Sequence, residues 1–179
     1  AMKPVRRILT GHNDKGESII LEEGDAPNRN PIKGIPGFVW TELWAMAKVP
    51  GNNDGNDDAV ADRPVILHPE DGGLIFRVVD LPPDELRFPP DKDRADTAAQ
   101  FQGGDAYAAG AKSRHPGFHK TRTVDLAIVL EGEIVAMMDV GETKMEAGDI
   151  LIQRGTNHAW SNRSGKVCRM AFVLIDSEN

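Results

Sequence analysis

The stretch "HPGFHKTRTVDLAIVLEGE", residues 115–133, sets two histidines, two threonines and a carboxylate in front of an apolar run. His119, Thr121 and Asp125 share parity, so on one extended strand they would face the same side. From His119 to Asp125 an extended chain spans about 20 Å, far beyond the reach of a shared metal ion. The chain must therefore bend around Arg122–Val124, bringing the end of one strand against the start of the next. A barrel mouth does this and turns all three side chains inward.

A second cluster lies in "GDILIQRGTNHAWSN", residues 148–162. "DILIQ" reads as a strand, Arg154-Gly155 as a turn, and Asn157-His158-Ala159-Trp160 as the entry to the next strand. His158 and Trp160 again share parity. If the two clusters are neighbours, His119, Asp125 and His158 form a two-histidine, one-carboxylate set. Such a set suits Fe(II), and also Mn, Ni or Zn, with positions left open for substrate or dioxygen.

The flanking sequence is strand-rich. "VDLAIVLEGEIVAMMD" breaks at Glu131-Gly132, "ETKMEAGDILIQRG" breaks at Ala147-Gly148-Asp149, and "VCRMAFVLID" closes the pattern. Upstream, "PVILHP" and "GLIFRVVDLPP" read as strands, as does "GFVWTELWAM" (Gly37–Met46). Residues 5–21 give a hairpin signal, and "PGNNDGNDDAVADRP" is a polar loop. Asp91–Arg114, rich in alanine, is the one helical stretch the pattern offers. Short strands at regular spacing, split by Gly-Asp and Glu-Gly turns, indicate a sandwich or barrel.

Composition narrows the class. The chain has 179 residues and a formal net charge of −7, which suits one domain and argues against nucleic acid and anionic membrane surfaces. Its single cysteine, Cys168, excludes an intrachain disulfide and points to a reducing compartment. No run approaches a membrane span, and "AMKPVRRIL" lacks the apolar region of a signal peptide. The expectation is a soluble cytoplasmic protein.

The two clusters resemble the paired signature motifs of the cupin superfamily, in its small single-domain Cupin_2 (RmlC-like) form. The first motif runs Gly, five residues, His-x-His, three or four residues, Glu, six residues, Gly. Anchored on Gly132, it places His119 at the first histidine, Thr121 at the second, Asp125 at the glutamate and Ser113 at the leading glycine. In the second motif Gly155, His158 and Asn162 match in register, Gln153 replaces the proline, and Gly148 sits one residue too close. "LEGEI" and "AGDILIQRGTNHAW" carry the likeness, which spans about residues 63–176.

The resemblance implies an all-β double-stranded β-helix, or jelly roll, forming a single cupin domain over 1–179. Residues 1–62 would be an N-terminal arm and loop, and 63–176 the barrel with a helical insertion near 91–114. It implies a homodimer, and a divalent metal (Fe, Mn, Ni or Zn) on His119, Asp125 and His158. The expected activity is dioxygenase or decarboxylase/lyase chemistry on a small organic, perhaps aromatic, acid. Thr121 would sit beside the metal, Arg154 would clamp a substrate carboxylate, and Trp160 and Asn157 would contact substrate. Two rival readings stand beside this one. The protein is a catalytically silent cupin that binds a small molecule as sensor or carrier, or Arg122 or Arg154 simply neutralises Asp125. His115 is a loop residue before Pro116, and Gly103-Gly104 would hinge the insertion as a lid.

Overall fold

The computed structural model describes residues 2–91, 93–109 and 114–178. The Ser113 position of the first motif and the end of the helical stretch, 110–113, lie outside the described residues. The chain runs β1 (Arg6–His12), β2 (Ser18–Asp25), β3 (Asn28–Pro31), β4 (Val39–Met46), β5 (Leu74–Leu81), α1 (Asp84–Arg87), α2 (Arg94–Ala99) and α3 (Gly104–Ala109). There follow β6 (Thr123–Glu131), β7 (Glu133–Met138), β8 (Glu142–Glu146), β9 (Ile150–Arg154), β10 (His158–Ser161) and β11 (Cys168–Asp176).

Six strands form one sheet in the order β3-β4-β5-β11-β6-β9, and three form a second in the order β10-β7-β8. The pairings are antiparallel, and non-sequential neighbours such as β5-β11-β6 are the crossovers of a jelly roll. β1 and β2 pair only with each other, as the hairpin signal required.

Strand β6 shows how the sequence directs this. Its inward residues Thr123, Asp125, Ala127 and Val129 are buried while Val124, Leu126 and Ile128 are only partly so. The period of two thus places the Asp125 carboxylate on the core side, in line with Ala127 and Val129. β6 ends where Gly132 adopts φ 86°, a left-handed turn conformation that costs a residue with a Cβ and that glycine accepts. A Cβ there would also stand 3.1 Å from the Val167 carbonyl oxygen, so the close approach of the β10–β11 connection favours glycine again.

The core between the sheets is aromatic at one end, where Trp40 stacks on Phe101 with ring centroids 4.2 Å apart. Within it Arg77 is fully buried and paired in a fork with Glu42, both bonds 2.9 Å. The same guanidinium donates to the carbonyls of Ile66 and Leu67.

That last contact corrects the expected strand at "PVILHP". Residues 64–69 form no strand, because Arg77 takes the carbonyls a sheet partner would use and the Leu67 amide donates to Phe101 O. The helical stretch is two short helices, α2 and α3, rather than one, and α1 was not expected at all. Strands β3 and β4 belong to the main sheet, so the barrel begins well before residue 63. Among the described residues no helix is long and apolar enough to cross a membrane.

Candidate active site

The bend expected around Arg122–Val124 is present. His119 forms an isolated bridge to His158, the chain turns at Arg122, and β6 starts at Thr123. His119 N–H donates to His158 O at 2.9 Å and His158 N–H to His119 O at 3.1 Å. Their rings are 4.3 Å apart between centroids. The two clusters, separated by more than thirty residues of sequence, are thus direct neighbours.

Both imidazoles are buried and oriented from behind. His119 Nδ1 lies 2.8 Å from Gly117 O and His158 Nδ1 2.8 Å from Thr156 O. A carbonyl only accepts, so each Nδ1 carries the proton and each Nε2 keeps its lone pair. Burial pushes His119 well below the ordinary histidine value, the neighbouring His158 adds to this, and the Gly117 carbonyl opposes it. Burial also lowers His158, against the opposing pull of the Thr156 carbonyl and Asp125. Two neutral imidazoles therefore face one cavity.

That cavity, about 50 Å³, is lined by His119, Thr121, Asp125, His158 and Trp160, together with Arg77, Arg87 and Tyr107. Tyr107 stacks on His119 with centroids 4.9 Å apart, and Trp160 meets His158 edge-on at 5.7 Å. The remaining wall is apolar, including Phe38, Trp40 and Phe172.

Asp125 is hydrogen-bonded by neutral groups. Thr121 Oγ1 and Thr123 Oγ1 share a hydrogen bond of 2.7 Å, and Thr123 Oγ1 donates to Asp125 Oδ1 at 2.6 Å. Gln153 Nε2 donates to Asp125 Oδ2 at 3.2 Å, while Gln153 Oε1 accepts from Thr156 Oγ1 at 2.6 Å. Of the replacements in the motif, Gln153 thus bonds the shortened carboxylate directly and Thr121 reaches it only through Thr123. Among the described residues no group of three His, Cys, Asp or Glu side chains lies close enough to hold a metal ion. His119 and His158 come together as expected. Asp125 lies outside any group of three with them among the described residues, and its oxygens accept from Thr123 and Gln153.

Several other expected roles do not match the placement. Arg154 alternates with inward Gln153 on β9 and is exposed, so it is not positioned to clamp a carboxylate in the cavity. Asn157 donates to Asp139 Oδ1 at 2.8 Å and does not line the cavity. Arg122 is exposed toward Asp71, so neither arginine neutralises Asp125. His115 Nε2 lies 2.9 Å from Asp84 Oδ2, which also accepts from Ser161 Oγ at 2.6 Å. Burial raises the Asp84 carboxyl, but the bonds from His115, Ser161 and the Asn162 amide outweigh it and hold the group below the usual value. Asn162 ties down the β10–β11 turn through Leu81 O and Lys166 O, as its motif position implies. Cys168 is a core residue whose thiol burial pushes up to about 12.

Besides the apolar wall, the polar cavity residues Arg77, Arg87 and Tyr107 escaped the sequence reading. The signal for Tyr107 was available, since it is the chain's one tyrosine and lies in the helical insertion just before the first motif. Arg87 lies in "DELRFPP", which carries no recognisable pattern.

The chain is similar to several known proteins. Residues 106–175 match the Cupin_2 family, described as "Cupin domain". The chain is 27% identical over 184 residues to Phomopsin biosynthesis cluster protein C' of Diaporthe leptostromiformis, covering 99% of this chain and 81% of the relative. It is 28% identical over 178 residues to Cupin-domain-containing oxidoreductase fogC of Aspergillus ruber, covering 96% and 72%. A solved structure, the Schizosaccharomyces pombe Cnp3 cupin domain, aligns with 98% of this chain and 90% of its own at 9% identity and TM-score 0.47.

Proposed function

We propose that this cupin-domain protein is an enzyme that acts on a small organic acid in the His119–His158 cavity, with a divalent metal ion held by those two histidines. One observation carries the reading. Each Nδ1 proton is given to a backbone carbonyl, which fixes the tautomer and leaves Nε2 free toward the cavity, the arrangement typical of metal-ligating histidines. The donor set fits a divalent ion through two imidazoles, and Fe, Mn, Ni and Zn all accept such ligands. Asp125 acts as a nearby negative charge that favours a cation without ligating it. When bound, the ion supplies Lewis acidity toward a substrate oxygen, or a seat for dioxygen if it is iron.

The chain's own residues do the rest. The apolar wall of Phe38, Trp40 and Phe172 excludes water, which strengthens every charge interaction within. Tyr107 offers a hydroxyl beside His119, and Trp160 packs against His158 to hold its ring. Relatives named as cupin-domain-containing oxidoreductases support an enzyme; dioxygenase and lyase chemistry are the two reaction types proposed.

A second reading, a silent cupin that binds a small molecule without a metal, is favoured by the Thr121–Thr123–Asp125–Gln153 hydrogen-bond chain, which engages both Thr121 and Asp125. Elemental analysis after reconstitution with Fe(II), Mn(II), Ni(II) and Zn(II) separates the two. About one equivalent of metal that is lost in His119→Ala and His158→Ala supports the enzyme. A folded protein that retains none of the four metals refutes the metal-dependent reading and leaves the silent one.

A further inference from the structure

Against the 50 Å³ inner cavity lies a second cavity of about 220 Å³. Phe38, Arg87 and Tyr107 line both and form the partition between them. Its inner walls are largely apolar and stiff, with Phe88, Pro89, Pro90, Phe101 and Pro116 among them, and the exposed Asp93 and Arg94, with Thr97, supply its polar side. A dry cavity of about 150 Å³ accommodates benzene. By that measure an aromatic ring fits the outer cavity and not the inner one.

Arg87 is the unusual member of the partition. It is buried, yet its partners are neutral: NH1 donates to Trp160 O at 3.1 Å, NH2 to the Tyr107 hydroxyl at 3.4 Å, and the guanidinium lies over Phe38 and Phe88. The structure treats other secluded arginines differently. Arg77 is forked onto Glu42 and Arg169 onto Asp80. Ring faces offer a cation some compensation, but a buried guanidinium is properly satisfied by an anion. Among the described residues Arg87 has none within ion-pair distance. Its planar donor fork matches a carboxylate.

We infer that the two cavities together form a binding site for an aromatic carboxylic acid. The ring occupies the outer cavity between Phe88, Phe101 and the prolines, and the carboxylate is bound by Arg87 in the partition. The acid end then faces the inner cavity, beside Tyr107 and His119. The inference rests on the reading of the inner cavity as an organic-acid site, but not on its metal.

Calorimetric titration of the full-length protein with cinnamate and with its neutral counterpart cinnamamide tests it. The wild type is expected to prefer the acid by about tenfold or more, the worth of one charge-assisted hydrogen-bonded pair. Arg87→Gln should abolish that preference, and Arg94→Gln, at the exposed rim, should keep it. Thr97→Trp, which fills the outer cavity away from the bonds of Arg87, should weaken cinnamate about tenfold and serves if Arg87→Gln does not fold. The inference is overturned if the wild type shows no preference, if Arg87→Gln retains it, if Arg94→Gln loses it instead, or if Thr97→Trp binds unchanged. Metal content measured on the same samples keeps the two claims apart. An Arg87-dependent preference in protein that retains no metal after reconstitution sustains this site while refuting the metal.

Discussion

His119 and His158 are joined backbone to backbone, each N–H bonded to the other's carbonyl, and their rings lie 4.3 Å apart. The bridge fixes the two backbones against each other, and the Nδ1 bonds to Gly117 O and Thr156 O orient each ring. It also fixes the cavity at the junction of the bend before β6 and the start of β10. Thr121 and Asp125, at the other two positions where the resemblance expects ligands, belong to a hydrogen-bond chain instead.

That division leads to a gain-of-binding experiment. Asp125→Glu lengthens the carboxylate by one methylene, and Thr121→His restores a third imidazole while removing the hydroxyl at the head of the chain. The double variant is expected to bind Zn(II) or Mn(II) about tenfold or more tightly than the wild type by competitive chelator titration. Unchanged affinity in a folded double variant would show that the two motif departures do not limit metal binding.

Acid stability follows from the two depressed histidines. Their folded values lie below the unfolded one, so below about pH 6.5 the unfolded chain binds more protons than the native one. Their contribution is complete above that pH and is lost as pH falls toward the folded values. With both imidazoles neutral in the native state, the slope approaches about 3 kcal/mol per pH unit. Urea midpoints measured from pH 7.5 to 5 should fall accordingly, and His119→Gln should flatten the dependence. A wild-type curve flat over that range would show that the imidazoles are not held neutral.

The buried Arg77–Glu42 fork makes a separate stability prediction. Glu42→Gln leaves the Arg77 guanidinium without its counter-charge in the core, at a cost of about 3–5 kcal/mol. Replacing both, as Glu42→Leu with Arg77→Met, should recover much of that loss in denaturant titrations. A single Glu42→Gln change costing less than about 1 kcal/mol would mean that the Ile66 and Leu67 carbonyls satisfy the arginine alone.

Sequence periodicity is legible where a strand is one-sided, as β6 is, and less so in β4, β5 and β10, which are buried on both faces. Thr123, Asp125, Ala127 and Val129 alternate cleanly, and Gly132 marks the turn that ends β6. The His119–His158 pairing was legible because parity and the motif register agreed. What failed did so for long-range reasons. "PVILHP" has strand-like residues, yet a buried arginine ten residues away takes its carbonyls. Arg154 looked like a clamp, but strand alternation turns it outward and brings Gln153 in. Asp125 shares the cavity with both histidines but forms no group of three with them among the described residues, a separation that parity alone does not give. Arg87 enters the site through the packing of α1 against Phe38 and Trp160, a relationship that no local pattern encodes.

The most direct test of the central claim is X-ray absorption at the metal edge of the reconstituted wild-type protein. Two imidazole ligands, with the other positions filled by light oxygen-type donors, are the predicted result. A spectrum with no imidazole scattering, or one unchanged in the His119→Ala, His158→Ala double variant, would contradict it.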